Sequence, residues 1–261
     1  MRLYDTHCHF EAANPDEIRA ILARARAAGV EKLMAVGGSE ELNASAALAA
    51  EIAAEEPGMP AVGVALGFDR DQVGRAPSTP HQAPRTPHQA PGTKHQAPCA
   101  IGEIGLDYHY SPETREAQRK LFGTQLEEAA KRSLPVIIHT READDDTLAL
   151  LREVPSRGVI HCYTGTPEAA RQFLDLGFYI SFSGIVTFRL ADNVRAAAAV
   201  VPDDRILIET DSPFLAPVPL RGSRNEPAFV RHTCEFLAAL RGVAPDDFAA
   251  LTFANAERAF Q

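Results

Sequence analysis

Thiolate pairs, an excess of positive charge and long apolar runs are all missing from this sequence, and each absence removes a class of function. The four cysteines, Cys8, Cys99, Cys162 and Cys234, lie far apart and form no CxxC pair. That spacing argues against a disulfide framework or a thiolate zinc knuckle and fits a reducing compartment. Positive charge is in deficit: 26 Lys and Arg stand against 35 Asp and Glu in 261 residues, a net charge of −9. Non-specific coating of nucleic acid needs a broad basic surface, so chemistry on a nucleic acid has to work through a local basic rim or a metal. No stretch approaches the ~18 apolar residues of a membrane span. Met1 runs straight into Leu3-Tyr4-Asp5-Thr6-His7 without the apolar core of a secretion signal. A cytoplasmic protein with no membrane contact is expected. No GxGxxG follows the first strand-like run, which counts against a dinucleotide fold. The remaining composition, 45% apolar and 23% charged, is ordinary for a globular chain with a sizeable core.

One segment departs from that composition. From Ser78 to Pro98 a seven-residue unit occurs three times, as STPHQAP, RTPHQAP and GTKHQAP. Its prolines remove donors and fix φ, so helix is excluded and extended or disordered chain is expected, inserted in a surface loop. His81, His88 and His95 recur within it, as a solvated linker or a weak metal-binding tract. Without these 21 residues the chain has 240, close to the ~250 of one α/β barrel.

The remainder alternates strands and helices. Strand-like runs fall at Leu3–His9, Lys32–Val36, Ala61–Phe68, Ala100–Asp107, Val136–His139, Val159–Tyr163, Tyr179–Ser183 and Ile206–Thr210. Helical patterns fall at Pro15–Ala28, Glu40–Glu55, Pro112–Arg132, Asp144–Glu153, Pro167–Leu176, Asn193–Val200, Pro227–Arg241 and Pro245–Phe260. Three helices open with Pro after a capping residue, Asn14, Ser111 or Thr166. Strands that are apolar through most of their length indicate a parallel sheet covered by helices. The expectation is an α/β fold: one TIM-like (β/α)8 barrel over residues 1–261, with the Pro/His-rich insertion after the third strand.

Polar residues gather at the strand C-terminal ends. His7 and His9, two apart, leave the first strand on one face. Glu103 lies in Gly102-Glu103-Ile104-Gly105-Leu106-Asp107, His139 and His161 end apolar runs, and Glu209 and Asp211 follow the last strand. In a parallel barrel these ends share one mouth, where barrel active sites sit. Imidazole and carboxylate together suit zinc, manganese or iron, and a bridging carboxylate can hold two ions. Such a pair makes water nucleophilic near neutral pH and clamps the attacking and leaving oxygens of a phosphoester. His109 and His232 lack this placement and default to structural or solvent roles. Arg141 follows His139 by two, and Arg221 and Arg224 flank Gly222-Ser223 after the last strand, where barrel phosphate sites often form. Asn225-Glu226-Pro227 has the pattern of a helix cap. Tyr108 and Phe214 offer faces for base stacking or for packing.

The motifs Asp5-Thr6-His7-Cys8-His9, Gly102-Glu103-Ile104-Gly105-Leu106-Asp107-Tyr108, His139-Thr140-Arg141, His161-Cys162-Tyr163-Thr164-Gly165 and Glu209-Thr210-Asp211-Ser212-Pro213-Phe214-Leu215-Ala216-Pro217 together resemble the TatD-type metal-dependent DNases. Arg221-Gly222-Ser223-Arg224-Asn225-Glu226-Pro227 resembles that family's last-strand loop. The resemblance implies a two-metal centre that hydrolyses phosphodiester bonds and trims DNA, single strands or 3′ ends, with magnesium, manganese or zinc. It implies that His7, His9, Glu103 and Asp211 hold one ion and that Glu103, His139 and His161 hold the other. Glu103 would bridge, and Asp211 would orient or deprotonate the attacking water, making these two the catalytic carboxylates. Arg141, Arg221 and Arg224 would contact substrate, and no protein partner is implied. The chain departs from the family at one motif. After the third strand the family usually has Gly-x-His-Pro, whose His contacts substrate, and here the stretch reads Leu66-Gly67-Phe68-Asp69-Arg70. Asp69 at that position repels a phosphate, or adds a ligand and changes metal preference. The alternatives are a metal-dependent hydrolase of an ester or amide, or a degenerate barrel with a binding role.

Overall fold

The computed structural model describes residues 1–11, 14–74 and 97–261. Eight strands alternate with helices: β1 (Leu3–Cys8), β2 (Val30–Gly38), β3 (Ala61–Phe68), β4 (Ala100–Asp107), β5 (Val136–Arg141), β6 (Gly158–Ile160), β7 (Tyr179–Phe182) and β8 (Ile206–Ile208). Each pairs in parallel with the next in sequence. The ring closes at the mouth, where the His9 N–H donates to Ser212 O at 2.8 Å and the Asp211 N–H to His7 O at 2.9 Å. Asp5 adds a second tie, accepting from the Thr210 N–H at 2.8 Å and its hydroxyl at 2.6 Å. The expected (β/α)8 barrel is present. The helices are α1 (Pro15–Ala27), α2 (Glu40–Glu55), α3 (Arg115–Arg132), α4 (Asp144–Glu153), α5 (Pro167–Asp175), α6 (Asp192–Val200), α7 (Val230–Arg241) and α8 (Pro245–Ala259). Between β3 and β4 the described residues contain only a 3₁₀ turn, Arg70–Gln72. The repeat lies outside the described residues apart from Ala97 and Pro98, and so do His81, His88 and His95.

Alternation along the strands sorts the core into two parts. Tyr4, Met34, Val36, Ala65, Ala100, Ile137, Val159 and Leu207 cluster together with Phe253, Ala256 and Ala259 of α8, so this cluster fills the barrel interior and α8 caps it. The intervening strand residues, such as Leu33, Ile101, Ile138, Ile180 and Ile206, pack against the surrounding helices. A period of two with both faces apolar is what a covered parallel sheet requires. All four cysteines are free, and no helix among the described residues is long and apolar enough to cross a membrane.

Local differences from the sequence expectation have physical causes. β6 and β8 stop before His161 and Glu209, because the chain leaves the extended conformation at Cys162 (φ 45°) and Asp211 (φ 55°). Asn14 caps α1 and Thr166 caps α5 as expected. Ser111 makes no side-chain cap. Pro112–Thr114 forms a 3₁₀ turn, and the Gln118 amide of α3 takes the Ser111 carbonyl instead, at 2.9 Å.

Three buried side-chain amides on the helices each bracket one residue near the mouth. Asn43 pairs with both backbone groups of Gly67 (3.0 and 3.1 Å), Gln125 with those of Phe68 (2.8 and 2.7 Å) and Gln118 with those of Asp107 (2.8 and 3.0 Å). These bonds satisfy strand ends where the ladder stops and hold the site's scaffold in register. Gln125→Leu leaves a buried N–H and a buried C=O without partners, so a loss of about 2–4 kcal/mol is expected, read from urea unfolding. A loss below about 1 kcal/mol would show that the amide carries no such role.

Candidate metal centre

The barrel brings the six expected ligands to one point. His7 ends in the mouth from β1 and His9 follows it, with their Nε2 atoms 3.0 Å apart. Glu103, buried in β4, divides its two oxygens. Oε2 faces His7 and His9 at 3.6 and 3.4 Å, and Oε1 faces His139 Nδ1 and His161 Nε2, each at 3.4 Å. Asp211 Oδ1 lies 3.7 Å from both His7 and His9. Among the described residues three ligand groups result, His7/His9/Asp211, Glu103/His139/His161 and His7/His161/Glu209, each with its donor atoms within 4.8 Å of one another, and the first two contain all six expected ligands.

The chemistry of this donor set fits divalent ions. Three of the imidazoles have their outer nitrogen engaged: His9 Nδ1 on Val36 O at 2.8 Å, His139 Nε2 on Asp107 at 3.1 Å and His161 Nδ1 on Glu209 at 3.3 Å. A carbonyl or carboxylate accepts a proton there, which leaves the inner nitrogen as a lone pair, the usual arrangement behind a ligating histidine. Protein partners leave some of these nitrogens unsatisfied: His161 Nε2, an inner atom, is buried without a hydrogen bond, and so is His7 Nδ1, the ring nitrogen other than the one that faces Glu103 and Asp211. Buried polar atoms of this kind are costly unless something binds them.

Burial sets much of the electrostatics. It lowers His7 to about 3, lowers His139 and raises the Asp211 carboxyl to about 6, the last against the pull of His161 and His9. Glu103 moves the other way. Burial acts to raise it, but His161, His7 and His9 hold it well below the usual carboxylate range. His161, between Glu103 and Glu209, is correspondingly held well above its ordinary value despite burial.

The expected substrate residues are spread around the mouth. Arg141, at the end of β5, stacks on Tyr110 at 4.6 Å and lines a cleft of about 710 Å³ with Phe188, Leu190, Phe214 and Asn193. Arg221 stacks on Phe188 at 3.7 Å. Arg224 donates to the Glu11 carbonyl at 3.0 Å, which ties the last loop to the segment after β1. Asp69 lines a second cleft of about 620 Å³ together with Glu11, Glu41 and Asp71. It also accepts the Asp71 N–H at 2.9 Å, and burial raises it to about 7. Phe214 faces both clefts and is exposed, whereas the Tyr108 hydroxyl bonds Asp146 at 2.6 Å and its ring packs under Arg115.

Four residues stand in roles the sequence left unassigned. Asp107 and Glu209 hold His139 and His161. Asn225, expected as a helix cap, is buried and donates to the carbonyls of Thr210 and Phe214 at 2.9 and 2.6 Å, pinning the loop that carries Asp211. Arg70 reaches Glu103 Oε1 at 2.9 Å. Glu209 was visible as a carboxylate two residues before Asp211. Nothing in the sequence marks Arg70.

The family model for TatD related DNase matches residues 4–261. Among curated proteins the chain is 40% identical over 271 aligned positions to the uncharacterised metal-dependent hydrolase YcfH of Escherichia coli K12, covering all of this chain and 96% of that protein. It is 39% identical over 170 positions to the 3′-5′ ssDNA/RNA exonuclease TatD of Citrobacter rodentium, covering 62% of this chain and 64% of that one. Among solved structures, the TatD homologue YjjV of Escherichia coli superposes with a TM-score of 0.82 at 28% identity, over 99% of this chain and 98% of that one. The motifs, the barrel and the ligand cluster agree with these likenesses: the chain belongs to the TatD-related family of metal-dependent hydrolases.

Proposed function

We propose that this hydrolase cleaves phosphodiester bonds in DNA, trimming single strands from the 3′ end at a centre of two divalent ions. The division of Glu103 between two ligand groups carries the reading, because one carboxylate serving two clusters is how a protein holds a pair of ions side by side. His7, His9 and Asp211 would hold one ion and His139 and His161 the other, with Glu103 common to both. Magnesium, manganese and zinc are all compatible with these donors. Bound there, the ions supply Lewis acidity and a nucleophilic water near neutral pH. Asp211, whose carboxyl burial raises to about 6, would be ionised at neutral pH and would orient the attacking water and accept its proton. The 3′-5′ ssDNA/RNA exonuclease TatD of Citrobacter rodentium, to which the chain is similar, supports both the substrate and the direction.

The two clefts suit unequal parts of a strand. Arg141 and exposed Tyr110, Phe214 and Leu190 line the larger one, a fit for phosphate beside unstacked bases. The smaller carries Glu11, Glu41, Asp69 and Asp71 beside Arg70, an acidic lining that opposes phosphate. A strand running along the larger cleft and ending at the centre would present its terminal phosphodiester. Arg141 and Arg221 would grip phosphate there, while Arg224 holds the loop and Asp69 limits how far the strand extends.

The apolar wall of Ile185, Phe188, Leu190 and Val194 favours a second reading, hydrolysis of a neutral ester or amide. Comparing a single-stranded oligonucleotide with a neutral aryl ester and an N-acyl amino acid separates the two. Oligonucleotide kcat/KM at least about 100-fold above the others is expected, with Arg141→Ala raising only the oligonucleotide KM, by about tenfold. Faster turnover of the ester or amide, untouched by Arg141→Ala, would move the assignment to that class.

A further inference from the structure

Arg70 makes the metal centre asymmetric. Asp69 accepts the Asp71 N–H and so shapes the 3₁₀ turn that sends Arg70 across the mouth. There its Nη1 donates to Glu103 Oε1 at 2.9 Å and lies 4.0 Å from Asp69, while Nε lies 3.8 Å from Asp107. Glu103 Oε1 is the oxygen that faces His139 and His161, and Asp107 is the carboxylate that holds His139. Apart from Asp69 and Asp71 on its own turn, the carboxylates that Arg70 meets thus serve the Glu103/His139/His161 group. None of its ion pairs is with Asp211. The guanidinium is mostly buried, and its charge is permanent.

We infer that Arg70 is a resident cation opposing the ion of the Glu103/His139/His161 group, so that the two sites load in sequence, His7/His9/Asp211 first. The inference rests on the two-ion reading above. A fixed positive charge sharing a ligand oxygen with an incoming divalent cation repels it, and the repulsion is strong where water is excluded. An ion enters this group only by weakening the Arg70–Glu103 pair. The first group keeps Glu103 Oε2 and Asp211 free of that contest. Substitution at the Gly-x-His-Pro motif therefore acts on metal occupancy as well as on substrate, through the residue after Asp69.

Calorimetric titration of chelator-stripped protein with Mn²⁺, followed by electron paramagnetic resonance at each equivalent, tests this without any substrate. Wild type is expected to bind one ion tightly and a second at least about tenfold more weakly, with an isolated-ion spectrum at one equivalent. Arg70→Gln is expected to tighten the second step to within about threefold of the first and leave the first unchanged, while Arg70→Lys, which keeps the charge, retains the gap. Should Arg70→Gln not fold, Arg70→Met serves as the uncharged variant. Two equal steps in wild type, or a gap that survives removal of the charge, overturns the role of Arg70 and leaves the two-ion reading standing. A single ion in wild type and in the uncharged variant overturns both.

Discussion

Glu103→Gln is expected to lower kcat for phosphodiester cleavage by about 10³-fold or more, with little change in fold. The carboxylate lies between the two ligand groups, and each oxygen faces two imidazole nitrogens. An amide of the same shape keeps one weakly ligating oxygen and turns the other position into an N–H donor aimed at lone pairs. One ligand group loses the Glu103 oxygen and the other keeps a neutral one, so charge neutralisation would weaken in both groups together. Metal content measured on the same variant should fall with activity, and circular dichroism should show the barrel intact. A loss of activity below about tenfold would mean that Glu103 does not hold the reacting ions.

Asp211→Asn is expected to reduce kcat by a comparable ~10³-fold while leaving the Glu103/His139/His161 group able to bind its ion. The ion pairs of Asp211 are with His7 and His9. Its effect on metal binding has a pH signature. Burial raises its carboxyl to about 6, so the ligating, ionised form is lost as pH falls through that value. His9 adds to the effect: burial lowers it, yet Glu103 and Asp211 raise it further, and a protonated imidazole cannot ligate. Apparent affinity at this group should therefore drop by at least about tenfold per unit below pH ~6 in wild type, and less steeply in Asp211→Asn. Affinity that stays flat between pH 7 and 5 would place the first ion elsewhere.

The candidate ligands were legible because two regularities coincide. Parallel barrel strands deliver their C-terminal ends to one mouth, and the side chains at those ends, in His7-x-His9, Glu103, His139, His161 and Asp211, share one kind of chemistry. The barrel followed from apolar strands alternating with helices, and between β3 and β4 the described residues hold only the 3₁₀ turn Arg70–Gln72. Long-range geometry was not legible. Asp107 acts on His139 because β4 and β5 run in a register that sets Asp107 opposite Arg141, which no local pattern shows. Asn225 looks like a cap until the fold brings Thr210 and Phe214 to its amide. Tyr108 and Tyr110 stand two apart, yet a bond to Asp146 draws one ring away from the mouth, and the other is left exposed under Arg141. Arg224 is spent on the Glu11 carbonyl, and Arg70 reaches the centre only through the turn that Asp69 shapes.

Cleavage of a 5′-labelled single-stranded DNA oligonucleotide with added Mg²⁺ or Mn²⁺, beside Asp211→Asn and a chelated sample, tests the account most directly. A ladder that shortens one nucleotide at a time from the 3′ end, and disappears in both controls, is the predicted result. An oligonucleotide left intact by folded, metal-loaded wild type would contradict it and turn the search to esters or amides. A ladder that persists in Asp211→Asn would contradict the role given to that carboxylate.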